Sequence, residues 1–383
     1  MNKKKGVSYA KWGYIFALPF CIAYLIFMIY PIINTFSIGF TNMTDALQMK
    51  MAQEELLGGG NCTACSQFLS NEQLEAGTCT KCGAEVAPAA VELLKDDEGN
   101  LTLFENYKFV VNDPNFWKSL RNTCVIWGAN FVPQILLALV LAVWFTSSRS
   151  KIRGKGFFKV LFYMPNIITA ATIAMLFTKL FDYNKGPVND LLRFMGVIEA
   201  GQPNINFFAT KGAARAIVAF IQFWMWYGYT MIILISGILG ISPELFEAAD
   251  IDGANGWQKF KFVTLPNLKS IMLFTLVTSM IGGMTMFDIP FIVGAQTGYT
   301  GNVRTLSAYI FEMSFQGGKL YNRASAASML VFAMIAVLAA VIFFMLRDKD
   351  EIAQHKIEKA KEKEFRAEYK RVLAEQKAKG GVR

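Results

Sequence analysis

Two short stretches carry residues of the types and spacing that do chemistry. Cys62-Thr63-Ala64-Cys65 and Cys79-Thr80-Lys81-Cys82 are separated by thirteen residues, a pair of C-x2-C knuckles slightly closer together than in the usual zinc ribbon. Two such knuckles place four thiolates around one Zn2+ at about 2.3 Å. Gly83 suits the turn of the second knuckle, and Gly58-Gly59-Gly60 reads as a flexible lead-in. Two disulfides are the competing reading, because this segment is expected outside the cell, where thiols oxidise. The knuckle spacing favours metal, and an anaerobic habitat would relieve the conflict. A single closed site uses all four cysteines, which disfavours redox catalysis. Cys21 and Cys124 fall in apolar runs and read as small core residues.

The second stretch is Ser242–Ala254, followed by Trp257, Phe260, Phe262 and Leu265-Pro266. Ser242 is a natural N-cap and Pro243 suits the first helical position. Glu244 and Glu247 favour the positive end of the helix, and Gly253 is placed to stop it. A second short helix puts Trp257 and Phe260 on one face, and Pro266 marks the start of the next apolar run. Leu245, Phe246, Ala248 and Ala249 make a small, partly apolar knob on a charged surface, the composition of a docking site.

The elements that must position these stretches are set by the bilayer. The chain is 54% apolar and 17% charged over 383 residues, whereas soluble domains carry about 25% charged residues. Six apolar windows, Trp12–Ile33, Asn122–Phe145, Val160–Leu180, Ala216–Leu239, Ser270–Val293 and Ala324–Leu346, can each cross about 30 Å of hydrocarbon as a helix of roughly 20 residues. The uncharged run from Trp12 to Thr44 lacks a small-residue cleavage site and is read as a retained first span. The fifth window is interrupted by Gly282, Gly283, Asp288 and Pro290. A break of that kind is tolerated against protein or a cavity; an ordinary proline kink is the alternative.

Charge then orients the spans. Residues 45–117 hold twelve acids and four lysines. Lys3, Lys4, Lys5 and Lys11, the four bases from Arg149 to Lys155, and twelve bases against eight acids in 347–383 mark the other side as cytoplasmic. Arg304 and Arg323 are outer-side exceptions. Bases that flank apolar spans speak for orientation and against nucleic-acid binding. The expected organisation is an all-α integral membrane protein of six helices. Residues 1–44 are the cytoplasmic N-terminus and first span, and 45–117 an extracytoplasmic insert with the four-cysteine site. Residues 118–346 are the five-helix core, with the cytoplasmic loop 240–268, and 347–383 a cytoplasmic basic tail read as a solvated helix. His355, the one histidine, sits in that tail. No residue looks catalytic, and no G-x-x-x-x-G-K-[ST] loop is present to hold a nucleotide.

Glu247-Ala248-Ala249, then Gly253, Val263 and Leu265-Pro266, resembles the signature loop of permeases in binding-protein-dependent ABC importers, with valine where isoleucine is common. Asp252, Ala254, Trp257 and Phe260 add a likeness to the sugar-importing, maltose-type branch. The resemblance covers 118–346 and the first span. It implies the ABC importer permease fold in a bacterial cell (inner) membrane, with both termini cytoplasmic and the loop as a coupling helix seated on an ATPase subunit. It further implies a second homologous permease subunit, separate ABC ATPase subunits, an extracytoplasmic solute-binding protein, a sugar or oligosaccharide as cargo, and membrane lipid around the spans. The family's Phe-Asp or Phe-Asn pair is matched by Phe287-Asp288, but Gly294-Ala295-Gln296 stands where a Thr-Gly-Gly-Gly-Pro turn is expected.

Sugars are held by flat aromatic faces and rim polar groups. Gln222, Trp224, Trp226, Tyr227 and Tyr229 in the fourth window, with Phe287 and Asp288 in the fifth, are therefore candidates for the transport path. Interfacial belting and helix packing are the bland alternative for each aromatic, and a structural hydrogen bond for Asp288. Another solute such as glycerol phosphate stays open, as does a membrane-anchored zinc enzyme or redox sensor built on the insert. The signature loop separates these classes, since an outward-acting enzyme has no use for it.

Overall fold

Apolar windows of this length become helices because a bilayer leaves no other partner for backbone N–H and C=O groups. The computed structural model describes residues 10–95, 101–147, 153–199, 201–346 and 357–369. Among them five helices are long and apolar enough to cross a membrane: Tyr14–Ile38, Pro114–Thr146, Lys211–Leu239, Lys269–Thr297 and Tyr321–Met345. A broken pair, Lys155–Ile167 and Ala170–Leu180, supplies a sixth crossing if counted as one span. Residues 357–369 of the tail are helical and exposed. Lys3, Lys4, Lys5, the bases Arg149 and Lys151, and His355 lie outside the described residues.

Two departures from the expected pattern have local causes. The third span, expected as one run over Val160–Leu180, is interrupted. Met164–Ile167, with Pro165, tightens into a 3-10 turn, since proline withholds the N–H that an α-helix needs. Thr169 then caps the next helix by accepting the Thr172 N–H at 3.3 Å. The first span carries a π-helical turn over Leu25–Ile29 before Pro31, the kind of bulge by which a helix accommodates a proline.

The chain divides into two units. One takes Met1–Phe131, Ile168–Phe223 and Gly282–Val337. Its interior includes Phe116, Ile126, Ile173, Ile221, Met284 and Leu306. Here the expected break of the fifth span falls between the helices Lys269–Met284 and Asp288–Thr297. The carbonyl of Met286, released by the break, accepts the Thr305 hydroxyl at 2.8 Å. A Cβ on Gly283 would sit 2.1 Å from the Trp127 ring, so the indole takes the space a side chain would need. The next segment is fastened to the second span. Asn122 donates to the carbonyls of Gly301 (3.4 Å) and Arg304 (2.8 Å), and the Leu306 N–H donates to the Thr123 hydroxyl at 3.0 Å.

The same unit holds the insert. Thr44 caps the helix Asp45–Leu57, which stops at Gly58 with φ +66°. Strands Gly59–Asn61 and Phe68–Ser70 pair antiparallel, with Gly59 opposite Ser70. A Cβ on Gly59 would lie 2.0 Å from the Leu69 carbonyl oxygen. The glycine triplet is therefore a helix stop and a packed strand, not the flexible lead-in expected from its composition. Ser70 and Gln73 form a capping box on Asn71–Glu75. Cys62, Leu69, Leu74 and Cys79 are the buried centre. Buried Glu54 accepts the Ala89 N–H at 2.7 Å, tying the returning chain to the first helix of the insert. Asp45 meets Lys319 and the Tyr321 hydroxyl.

The other unit takes Val132–Ile167, Trp224–Ile281 and Leu338–Arg383. Its helices approach closely at small residues, as membrane helices do. A Cβ on Gly228 would fall 2.0 Å from the Phe162 carbonyl oxygen. Gln134 donates to the Thr230 hydroxyl at 2.8 Å, with both residues buried. Cys21 and Cys124 are exposed, against the expectation of core positions. In a spanning helix the outward face is as apolar as the inward one, so composition does not say which way a small residue points.

Candidate functional site

The 240–268 block is built from two short helices whose ends are individually closed. The first, Pro243–Ile251, has proline in its opening turn, but the Ser242 hydroxyl makes no capping bond. Only the position, not the side chain, follows the expected cap. The C-terminal end is closed by the N–H groups of Asp252, Gly253 and Ala254, which donate to the carbonyls of Ala248 (3.0 Å), Asp250 (3.1 Å) and Ala249 (2.9 Å). Gly253 has φ +73°, and nothing lies within 4 Å of an added Cβ. Backbone conformation alone demands glycine there. The second helix, Gly256–Lys259, opens on a reciprocal capping box. The Asn255 N–H donates to the Gln258 side chain at 2.8 Å, and the Gln258 N–H to the Asn255 side chain at 2.9 Å. The spacing N-x-x-Q carries this box in the sequence itself.

An ion pair of Lys259 with Asp250 ties the two helices together, and the Trp257 and Phe260 rings lie 5.4 Å apart. A π-helical turn, Phe260–Thr264, leads through Leu265-Pro266 to Leu268, which is fully buried. A Cβ on Gly237, in the last turns of the fourth span, would lie 2.5 Å from Ile271 and 2.8 Å from Leu268. Both ends of the block are thus clasped at its base. Glu244, Glu247, Ala248 and Asp252 are exposed, as are Leu245, Ile251 (87%), Trp257 (68%) and Phe262 (67%). The result is a stiff knob with a mixed acidic and apolar surface, joined without slack to two spans.

The candidate path residues fall into both units. Trp226 and Tyr229 share an exposed face, with ring centroids 5.7 Å apart and edge-on. Trp224 is half-buried, while Tyr227 is buried against Phe162. Those residues belong to one unit; Phe287 and Asp288 belong to the other. Phe287 stacks on Phe291 at 4.8 Å and lies 5.0 Å from Phe311. Asp288 is exposed and opens the helix Asp288–Thr297, where a carboxylate meets the positive helix end.

The four cysteines converge. Their Sγ atoms all lie within 4.8 Å of one another, with Cys62–Cys82 and Cys65–Cys79 each at 3.6 Å. Ligands about 2.3 Å from a tetrahedral Zn2+ lie about 3.8 Å apart, so the cage has the dimensions of a metal site. The two knuckles repeat one another. Cys62 N–H donates to Gln67 and Cys79 N–H to Ala84, both at 2.8 Å. Ser66 N–H donates back to the Cys62 carbonyl at 2.8 Å, and Gly83 N–H to that of Cys79 at 2.9 Å. Ser66 and Gly83, at matching positions, both take positive φ. Backbone N–H groups of Cys65 and Ala64 lower the Cys62 thiol below its ordinary pKa, and those of Cys82 and Lys81 bring Cys79 down to about 6. At Cys82 the Ala84 N–H pulls downward. The surrounding sulfurs and burial outweigh it and raise the thiol to about 12. The set can hold a metal ion.

Helices long and apolar enough to cross a membrane, with a loop clasped between two of them, define an integral membrane protein. The chain belongs to the binding-protein-dependent transport system inner membrane component family, whose model matches residues 132–348. The block and the fourth span lie inside that match. The chain is similar to the lactose transport system permease protein LacF of Rhizobium radiobacter, 32% identical over 239 residues that cover 62% of this chain and 78% of that one. It is also similar to the arabinooligosaccharides transport system permease protein AraP of Bacillus subtilis (strain 168), 24% identical over 335 residues and 87% of each chain. In fold it matches a chain from the crystal structure of a bacterial alginate ABC transporter in complex with alginate pentasaccharide-bound periplasmic protein. That match has a TM-score of 0.60 at 21% identity and covers 90% of this chain and 96% of the other. As a member of this family the chain is a transport component and not an enzyme.

Proposed function

We propose that this chain is a permease subunit that imports a sugar or oligosaccharide, and that its 240–268 block receives the stroke of a separate ATPase subunit. The block carries the reading. Gly253 at φ +73°, the Lys259–Asp250 ion pair and the clasp at Gly237 and Leu268 make it stiff and slack-free, so a push on Glu247–Gly253 reaches the fourth and fifth spans undamped. Relatives named for lactose and arabinooligosaccharide transport support a carbohydrate cargo. A second homologous permease, two ATPase copies and an external solute-binding protein complete the machine. Both termini and the block face the cytoplasm, residues 45–117 face outside, and lipid surrounds the spans. The four domains are those drawn from the charge pattern.

Within this reading Trp224, Trp226, Tyr229, Phe287 and Asp288 contact the passing sugar. Glu244, Glu247, Ala248, Ala249, Asp252, Gly253, Ala254, Leu265 and Pro266 form the coupling surface and its attachment. Cys62, Cys65, Cys79 and Cys82 hold one structural Zn2+, which neutralises the crowded thiolates and folds the insert. The test is uptake by vesicles containing the complete transporter with its binding protein, scanned over radiolabelled di- and oligosaccharides and glycerol phosphate. Saturable ATP-dependent uptake of a carbohydrate is expected. Uptake of glycerol phosphate alone, or none with an ATPase that never binds the block, would overturn the assignment.

A further inference from the structure

A recess of about 480 Å³ opens at the end of the third span, beyond the helix Ala170–Leu180. Leu176, Leu180 and Pro187 supply its apolar wall, and Lys179, Lys185 and Asp182 its charge. The carboxylate of Asp182 is engaged in shaping the turn. It accepts the N–H groups of Asn184 at 2.8 Å and Lys185 at 3.0 Å, and these bonds, the Lys185 one first, hold its carboxyl below the ordinary carboxylate range. Gly186 fixes the same turn, since a Cβ there would lie 2.3 Å from the Asp182 carbonyl oxygen. Neither lysine takes part in an ion pair among the described residues. The recess therefore offers a visitor two exposed ammonium groups, one of which, Lys179, also attracts the Asp182 carboxylate that two backbone N–H groups already engage.

Leu176, Lys179 and Leu180 stand three and four residues apart, on one helix face. Leu176 is 51% exposed on a helix of the spanning bundle. A cation in the last turn of a span, with an exposed leucine one turn before it on the same helix face and a second cation in the turn that follows, matches an amphiphile whose anionic group sits above its hydrocarbon. We propose that this recess binds the phosphate of an anionic glycerophospholipid, with Lys179 and Lys185 on the headgroup and an acyl chain along Leu176. A free phosphate shares the headgroup chemistry but makes no use of the leucines. The inference stands independently of the sugar and coupling assignments.

The test uses the assembled transporter in detergent, titrated with phosphatidylglycerol, with phosphatidylcholine and with inorganic phosphate, and bound lipid is counted by native mass spectrometry. Three forms are compared: wild type, Lys179→Gln with Lys185→Gln, and Leu176→Gln. Wild type is expected to retain phosphatidylglycerol in preference to phosphatidylcholine. The double lysine variant is expected to bind it about thirtyfold more weakly. Leu176→Gln is expected to weaken it too, with inorganic phosphate competing poorly. All three substitutions sit on accessible side chains, and unchanged elution of the complex checks assembly. Equal retention by wild type and the lysine variant, or no preference between the two lipids, overturns the proposal. Full displacement by inorganic phosphate with no effect of Leu176→Gln overturns it in favour of a free-anion site.

Discussion

The insert around the four cysteines and the 240–268 block solve the same problem by different physics. Each is a short segment outside the spans, too small to bury a core that would hold it rigid. The insert has two buried leucines, Leu69 and Leu74, and four converging sulfurs; its rigidity is expected to come from metal. The block has no such cage and makes itself stiff with capped helix ends, an ion pair and a clasp onto two spans. A metal-held segment can be unloaded without disturbing the spans that carry it. A segment clasped to two spans cannot move without them, which is what a transmission element requires.

The two regions use glycine differently, and that difference gives the largest expected effects. Gly253 is required only for its φ of +73°, with open space around it. Gly253→Val puts a β-branched residue where side chains cost about 1–2 kcal/mol or more. It should abolish coupled transport while leaving the metal content of the insert unchanged, and Gly253→Asn, which tolerates this conformation, should recover much of it. Gly59 is required sterically, with the Leu69 carbonyl 2.0 Å from a Cβ. Gly59→Val should therefore open the strand pair, expose 58–84 to protease and leave ATPase binding intact, and Gly59→Asn should not rescue it. Transport assays paired with limited proteolysis separate the outcomes, and rescue of both sites by Asn would erase the distinction.

Removing the cage itself ranks next. Cys79→Ser should take bound zinc from about one per chain to none and unfold the insert locally, as read by elemental analysis and proteolysis. Assembly with the ATPase should survive. Failure of the whole bundle would show that the insert is not separable from it. A smaller effect is expected at Asp288. Asp288→Ala should change substrate-stimulated transport more than the yield of assembled complex. Unchanged transport would return Asp288 to the role of a residue at a helix N-terminus.

The smallest effect concerns pH. The Asp182 carboxyl lies below its ordinary range because two backbone N–H groups bond it. A depressed folded-state value means that its contribution is present above the unfolded pKa of about 3.9 and is lost only as pH falls through the folded value. The 182–187 turn should be indifferent between pH 5 and 8, as monitored by hydrogen exchange of the Asn184 and Lys185 amides. Loosening in that window would contradict the assignment of those bonds.

The same contrast explains what was legible. The spans were read from apolar windows because a bilayer permits little else. The knuckles and the Glu247–Pro266 pattern were read because their spacing is fixed by ligand geometry and helix ends. The break at Met164–Thr169 was missed because one proline in an apolar run is equally compatible with a kinked continuous helix. Gly58-Gly59-Gly60 was misread because glycine's freedom is a property of the residue. Its confinement here is a property of Leu69, which lies across the strand. The Asn255–Gln258 box is legible as N-x-x-Q two residues past Gly253. Cys21 and Cys124 illustrate a real limit, since both faces of a spanning helix are apolar.

The most direct test of transmission through the block measures ATP hydrolysis and solute uptake together, in vesicles holding the complete transporter with Gly253→Val. The expected result is that ligand capture by the external binding protein is normal, uptake is lost, and the ATPase either dissociates or hydrolyses ATP without transport. Uptake and ATPase retention equal to wild type would mean that the loop is a passive connection and that the force enters the spans elsewhere.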